Sequence, residues 1–69
     1  MYATNILHDL MKNGGSHGFL QFDQAKNQFL IPTTDGKMQH IPYSLAEIVI
    51  RDFRGMAVYD VRTKDLWRI

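Results

Sequence analysis

The chain has 69 residues, of which 45% are hydrophobic, and its 8 Lys and Arg against 7 Asp and Glu leave a formal net charge of +1. That balance excludes a disordered tail, a polybasic nucleic-acid arm and an acidic activation segment, and the length suits one domain over 1–69. With no cysteine, disulfide frameworks, Cys-ligated zinc and thiol chemistry are excluded as well.

The first element reads as a short helix. Thr4 or Asn5 supplies its cap, and Ile6, Leu7, Leu10 and Met11 recur on one face. Lys12 falls in the last turn, where the helix dipole favours a cation. Asn13-Gly14-Gly15 ends the helix because these residues tolerate positive φ. A helix this short is unstable alone and must dock. The stretch Gly14-Gly15-Ser16-His17-Gly18 then reads as a linker.

Three strands follow, Gly18–Asp23, Gln28–Thr33 and Lys37–Pro42. A four-residue loop, Gln24-Ala25-Lys26-Asn27, pairs Phe22 with Phe29 and Leu20 with Ile31. Asp35-Gly36 between alternating segments signals a type I′ turn, which pairs Ile31 with His40 and Thr33 with Met38. On these registers Leu20, Phe22, Phe29, Ile31, Met38 and Pro42 share the apolar face, and His40 joins it opposite Ile31.

A second helix starts more clearly. Ser44-Leu45-Ala46-Glu47 matches the capping box, with Tyr43 and Ile48 at the staple positions. Leu45, Ile48, Val49 and Phe53 form its apolar stripe, Glu47 and Arg51 are an i,i+4 pair, and Gly55 stands at C′. The β-branched run Ile48-Val49-Ile50 favours a strand on propensity; the capping and periodicity favour a helix. A closing hairpin, Met56–Val61 and Leu66–Ile69, surrounds Arg62-Thr63-Lys64-Asp65, and Asp60 and Thr63 suit hydrogen bonds to the turn backbone. The string Val58–Trp67 is similar to the hairpin of a propeller-blade repeat, but it occurs once and no repeat period exists, which excludes a propeller.

The expected fold is therefore α+β in the order α-βββ-α-ββ, one antiparallel sheet packed on one face by two short helices. With Leu45–Phe53 extended instead, an N-terminal helix and a small SH3/Sm-like barrel would result. Gly18-Phe19-Leu20-Gln21-Phe22-Asp23-Gln24 is similar to a stretch of the Sm-like RNA chaperones, a likeness confined to those residues that assigns no family.

Residues that carry chemistry are sparse. His8, His17 and His40 share no metal-ligand spacing, so neither metal nor cofactor is expected. Ser16 beside His17 lacks an Asp placed to orient the imidazole. The glycines around them run from helix into strand, the wrong sense for a phosphate cradle. No enzyme is expected. The C-terminal part stands out: five basic residues (Arg51, Arg54, Arg62, Lys64, Arg68) against three acidic ones (Asp52, Asp60, Asp65), with Tyr59 and Trp67 interleaved. Arg51, Arg54, Tyr59, Arg62, Trp67 and Arg68 are the candidate binding residues. Arg provides bidentate contacts and aromatics provide rigid area, the combination that dominates protein–protein hot spots. The expected function is a small non-enzymatic regulator or inhibitor that binds a protein partner, with a homodimer as another way to bury surface. The alternative is an RNA- or single-stranded DNA-binding module using the same surface. Met1–Asn5 carries no basic n-region and no apolar run is long enough to span a bilayer, so the expected setting is the cytoplasm without membrane contact.

Overall fold

The structure, a computed structural model, describes residues 2–69 and begins with helix α1 over Tyr2–Asn13. Thr4 and Asn5, expected as caps, instead lie inside this helix. Ala3, Leu7 and Leu10 are its buried positions, Ile6 packs at the margin, and Met11 is exposed. Gly14 N–H bonds the Leu10 carbonyl at 2.7 Å. Gln24 Nε2 donates to the Lys12 carbonyl at 2.5 Å and the Met11 carbonyl at 3.4 Å. A side chain from the first long hairpin thus satisfies carbonyls that a helix end leaves open.

The glycine-rich stretch is not a linker. Strand β1 (Gly15–His17) pairs antiparallel with β2 (Leu20–Asp23), placing His17 opposite Leu20 and Ser16 opposite Gln21. Their two-residue loop starts at Gly18, whose φ of 61° a β-carbon would penalise. No apolar alternation marks β1, because its pairing draws on backbone hydrogen bonds more than on side-chain burial.

Strands β3 (Gln28–Pro32) and β4 (Met38–Ile41) complete a four-stranded antiparallel sheet in the order β1-β2-β3-β4. Phe22 faces Phe29 as the sequence predicts. The next hairpin is displaced by one residue: Leu30 faces His40, Ile31 faces Gln39, and Pro32 faces Met38. The turn explains the shift. Gly36 N–H donates to the Thr33 carbonyl at 3.1 Å and Thr33 N–H to the Lys37 carbonyl at 2.8 Å, while Gly36 is left-handed at φ 85° and Asp35 is not. This is a three-residue loop closed by a left-handed glycine, not a two-residue type I′ turn, which needs positive φ at both positions. Met38, His40 and Pro42 consequently leave the core face and are exposed, and Ile41 enters it opposite Phe29.

Helix α2 spans Tyr43–Phe53, so residues 45–54 do not form a strand and the barrel alternative falls. Its N-cap is Pro42, with no side-chain cap bond; the Pro42 carbonyl accepts from Leu45 N–H at 3.1 Å and Ala46 N–H at 3.0 Å. Ser44 lies inside the helix and the expected capping box is absent. Proline's fixed φ lets the strand end and the helix begin at one residue. Glu47 turns to α1, accepting from Thr4 Oγ1 at 3.5 Å. Val49 and Ile50 are fully buried, and that burial overrides their strand preference. At the other end Arg54 takes the left-handed conformation at φ 54°, followed by Gly55 at φ 76°.

Strands β5 (Ala57–Asp60) and β6 (Asp65–Arg68) form a hairpin in which Val58 faces Trp67 and Tyr59 faces Leu66. The Asp60 carboxylate accepts from Arg62 N–H at 2.9 Å and its carbonyl from Lys64 N–H at 2.7 Å. The chain is thus an α+β domain in the expected order, with one strand more and with two sheets in place of one. A parallel bridge between Thr33 and Tyr59 joins them, with Thr34 N–H on the Tyr59 carbonyl at 3.0 Å. The bridge does not lengthen into a ladder because the chain turns through Thr34–Gly36 directly after it. Leu7, Leu20, Ile31, Ile41, Val49 and Ile50 fill the centre of the core, beside an edge-to-face Phe22–Phe29 pair at 4.7 Å. No helix among the described residues is long and apolar enough to cross a membrane.

Candidate functional site

The apolar surface of α2 is wider than the core covers. Ala46, Val49 and Ile50 are buried, while Leu45 and Ile48 remain half-buried along one flank and Phe53 is half-buried at the C-terminal end. Strand β6 lies along that flank, leaving an open groove of about 430 Å³. Leu45, Ile48 and Phe53 form one wall and Lys64, Asp65, Leu66 and Trp67 the other. Trp67 is 51% exposed.

Arg68 joins the two elements. Its guanidinium carbon sits 5.2 Å from the centroid of the Phe53 ring, and Nη2 donates to the Asp52 carbonyl at 3.2 Å. The cation is therefore held over an aromatic face that itself lines the groove. Arg51 behaves differently. Its Nε lies 2.8 Å from Asp52 Oδ1, its Nη2 donates to Oδ2 at 3.2 Å, and Nη1 is 4.0 Å from Glu47 Oε1. Hydrogen bonding within this bidentate pair holds the Asp52 carboxyl below its ordinary pKa and raises that of Arg51.

Arg54 is exposed at the C-cap of α2, and Arg62 is exposed in the β5–β6 turn. Tyr59 is half-buried, packs against the core, and offers its carbonyl to Thr34. Of the six expected residues, then, only Trp67 lines the groove; Arg68, the next residue of β6 and so on the strand's other face, is held over Phe53 at its margin. Arg51 and Arg54 flank them from the end of α2, Arg62 stands in the adjoining turn, and Tyr59 is turned inward. Both ion pairs among the described residues belong to Arg51. Arg54, Arg62, Lys64 and Arg68 carry charge without a carboxylate partner. Sequence reasoning missed the groove walls Leu45, Ile48 and Leu66 and the cation Lys64. The available signal was circumferential: apolar positions 45 and 48 extend beyond the strip of α2 that Ala46, Val49 and Ile50 need for core contact, while Phe53 lies in line with that strip at its C-terminal end.

The histidines lie apart from this groove. Ser16 and His17 are consecutive in β1, so their side chains point to opposite faces. His40 stands opposite Leu30 and is exposed. A second depression is lined by Gly15, Ser16, Gln21, Phe22, Asp23 and Leu30 and contains no histidine. Among the described residues no cluster of three His, Asp or Glu side chains is arranged to hold a metal ion. No protein-family model, curated protein or solved structure matches this chain.

Proposed function

We propose that this chain is a small non-enzymatic regulator or inhibitor that binds another protein through the groove between α2 and β6. One observation carries this reading. Trp67, a large aromatic on a regular strand, is half exposed beside an apolar groove, next to an Arg68 already fixed over Phe53. Rigid aromatics and pre-oriented arginines contribute most of the energy of protein interfaces, because little side-chain entropy remains to be lost on binding. The test is capture from native lysate with the wild-type chain and with Trp67→Ala, each with and without nuclease. A protein that survives nuclease and is lost with Trp67→Ala supports the reading; recovery of nucleic acid alone overturns it.

The four cations of the C-terminal part without carboxylate partners, of which Lys64 lines the groove with Trp67, favour one alternative, an RNA or single-stranded DNA held by phosphate contacts and base stacking. A salt titration separates the two readings. Binding to phosphates weakens steeply and linearly in log–log form, whereas an apolar contact hardly responds.

A further inference from the structure

We propose that the α2–β6 groove takes an extended acidic segment of the partner, which adds as a third strand to the free edge of β6. This deepens the protein-binding reading and rests on it.

The hydrogen-bond parity of the hairpin shows which backbone groups are free. Ile69 N–H donates to the Met56 carbonyl at 3.2 Å. Bonded pairs alternate along an antiparallel ladder, so Val58–Trp67 and Asp60–Asp65 are bonded pairs, and Ala57–Arg68 and Tyr59–Leu66 are not. Tyr59 confirms this parity, since its carbonyl faces away from β6 and receives Thr34 N–H. By the same rule the N–H and C=O groups of Leu66 and Arg68 face away from β5. Among the described residues β6 has β5 as its one sheet partner and no strand on its other edge, and the groove between β6 and α2 is open. A strand added there gains main-chain hydrogen bonds from β6, while its alternate side chains meet Leu45, Ile48 and Phe53.

Charge selects the occupant. Lys64 and Arg68 stand at either end of β6 without carboxylate partners, with Arg54 and Arg62 nearby in sequence and likewise unpaired. Asp65 is the one acid lining the groove. A segment with bulky apolar residues alternating with Asp or Glu complements both the apolar wall and the cations. A second copy of the chain does not. A twofold pairing of β6 centred on Leu66 sets Lys64 against Arg68 of the partner subunit, and one centred on Trp67 leaves the cations of both copies without acids.

The experiment selects binders from a phage-displayed random dodecapeptide library on the full chain, then maps an enriched peptide by NMR. Enrichment of sequences with acidic residues alternating with bulky apolar ones, and slowed amide exchange at Leu66 and Arg68 on peptide addition, support the proposal. Leu66→Pro removes an outward N–H while sparing the β5 ladder, and should weaken binding about tenfold. Lys64→Glu should weaken it similarly, with recovery when the acids of the peptide are exchanged for lysines. Absence of any enriched peptide, basic or helix-periodic consensus sequences, indifference to Lys64→Glu, or a peptide-free dimer protecting the same amides each overturn it. If nuclease-resistant capture of a protein succeeds while the library result fails, strand addition falls and the protein-binding reading stands; capture of nucleic acid alone removes both.

Discussion

Gly18 and Gly55 meet main chain to main chain. A β-carbon at Gly18 would overlap the carbonyl of Gly55, and one at Gly55 would lie 2.9 Å from the His17 carbonyl oxygen. Phe19 N–H donates to that Gly55 carbonyl, so the β1–β2 turn is fastened directly to the end of α2. Gly18→Ala adds a steric clash to a left-handed backbone and should cost on the order of 3 kcal/mol or more. Gly36→Ala, at φ 85° with open space around it, should cost only the left-handed penalty of about 1–2 kcal/mol. Urea unfolding with an unchanged slope measures both; equal losses would show that the close approach contributes nothing.

Ser44 sits in α2 without the cap bond that its sequence context suggests. Ser44→Ala should change stability by no more than about 0.5 kcal/mol, since alanine also suits a helix better. A working Ser cap would lose about 1 kcal/mol. Thermal unfolding monitored by circular dichroism distinguishes the two outcomes.

Asp35 has an acid dependence with a defined sign. The hydrogen bond from the Thr33 hydroxyl outweighs the opposing desolvation and, with lesser help from Lys37 N–H at 3.3 Å and the charge of Lys37, holds its pKa below the ordinary value. A carboxyl lowered on folding stabilises the fold fully above its unfolded pKa of about 3.9, and that stabilisation disappears as pH falls through the folded value. The stability difference between wild type and Asp35→Asn should therefore be constant near neutrality and shrink on acidification below about pH 4. Thr33→Val should move the Asp35 titration upward in a carboxyl-detected NMR experiment; an unmoved midpoint would remove Thr33 as the cause.

The two four-residue hairpin loops end alike, on Asn27 at φ 55° and Lys64 at φ 61°. Asparagine tolerates this conformation better than lysine does. Lys64→Asn should stabilise the chain by about 0.5–1 kcal/mol and Asn27→Lys should destabilise it comparably, both read from denaturant midpoints. Because Lys64 lines the groove, the stabilised variant should also bind acidic peptides more weakly. A gain in stability with unchanged binding would separate the cation from the site.

Element order and the first register were legible because local chemistry decides them. Phe22 meets Phe29 through a loop whose length fixes the pairing, and both side chains are driven to one face. The second register was not legible, since Asp35-Gly36 serves two turn geometries and Thr33 chooses between them through its bonds to Lys37, while Thr34 N–H is taken by the Tyr59 carbonyl. Strand β1 escaped notice because its partner chemistry is backbone, and the start of α2 because Pro42 does what Ser44 was expected to do. Trp67 and Arg68 were legible by residue type. Their companions Leu45, Ile48 and Leu66 looked like core, and only the packed geometry shows how much of them β6 leaves uncovered. Tyr59 marks the reverse case: its composition suggested a surface contact, and the bridge to Thr33 draws it inward.

Thr33 and Tyr59 touch although 26 positions separate them in the chain. The hairpins close within a few residues and can zip in microseconds, before that distant closure repays its entropic cost. Weakening the Thr34–Tyr59 contact should therefore speed unfolding more than it slows folding, a split that stopped-flow kinetics reads directly.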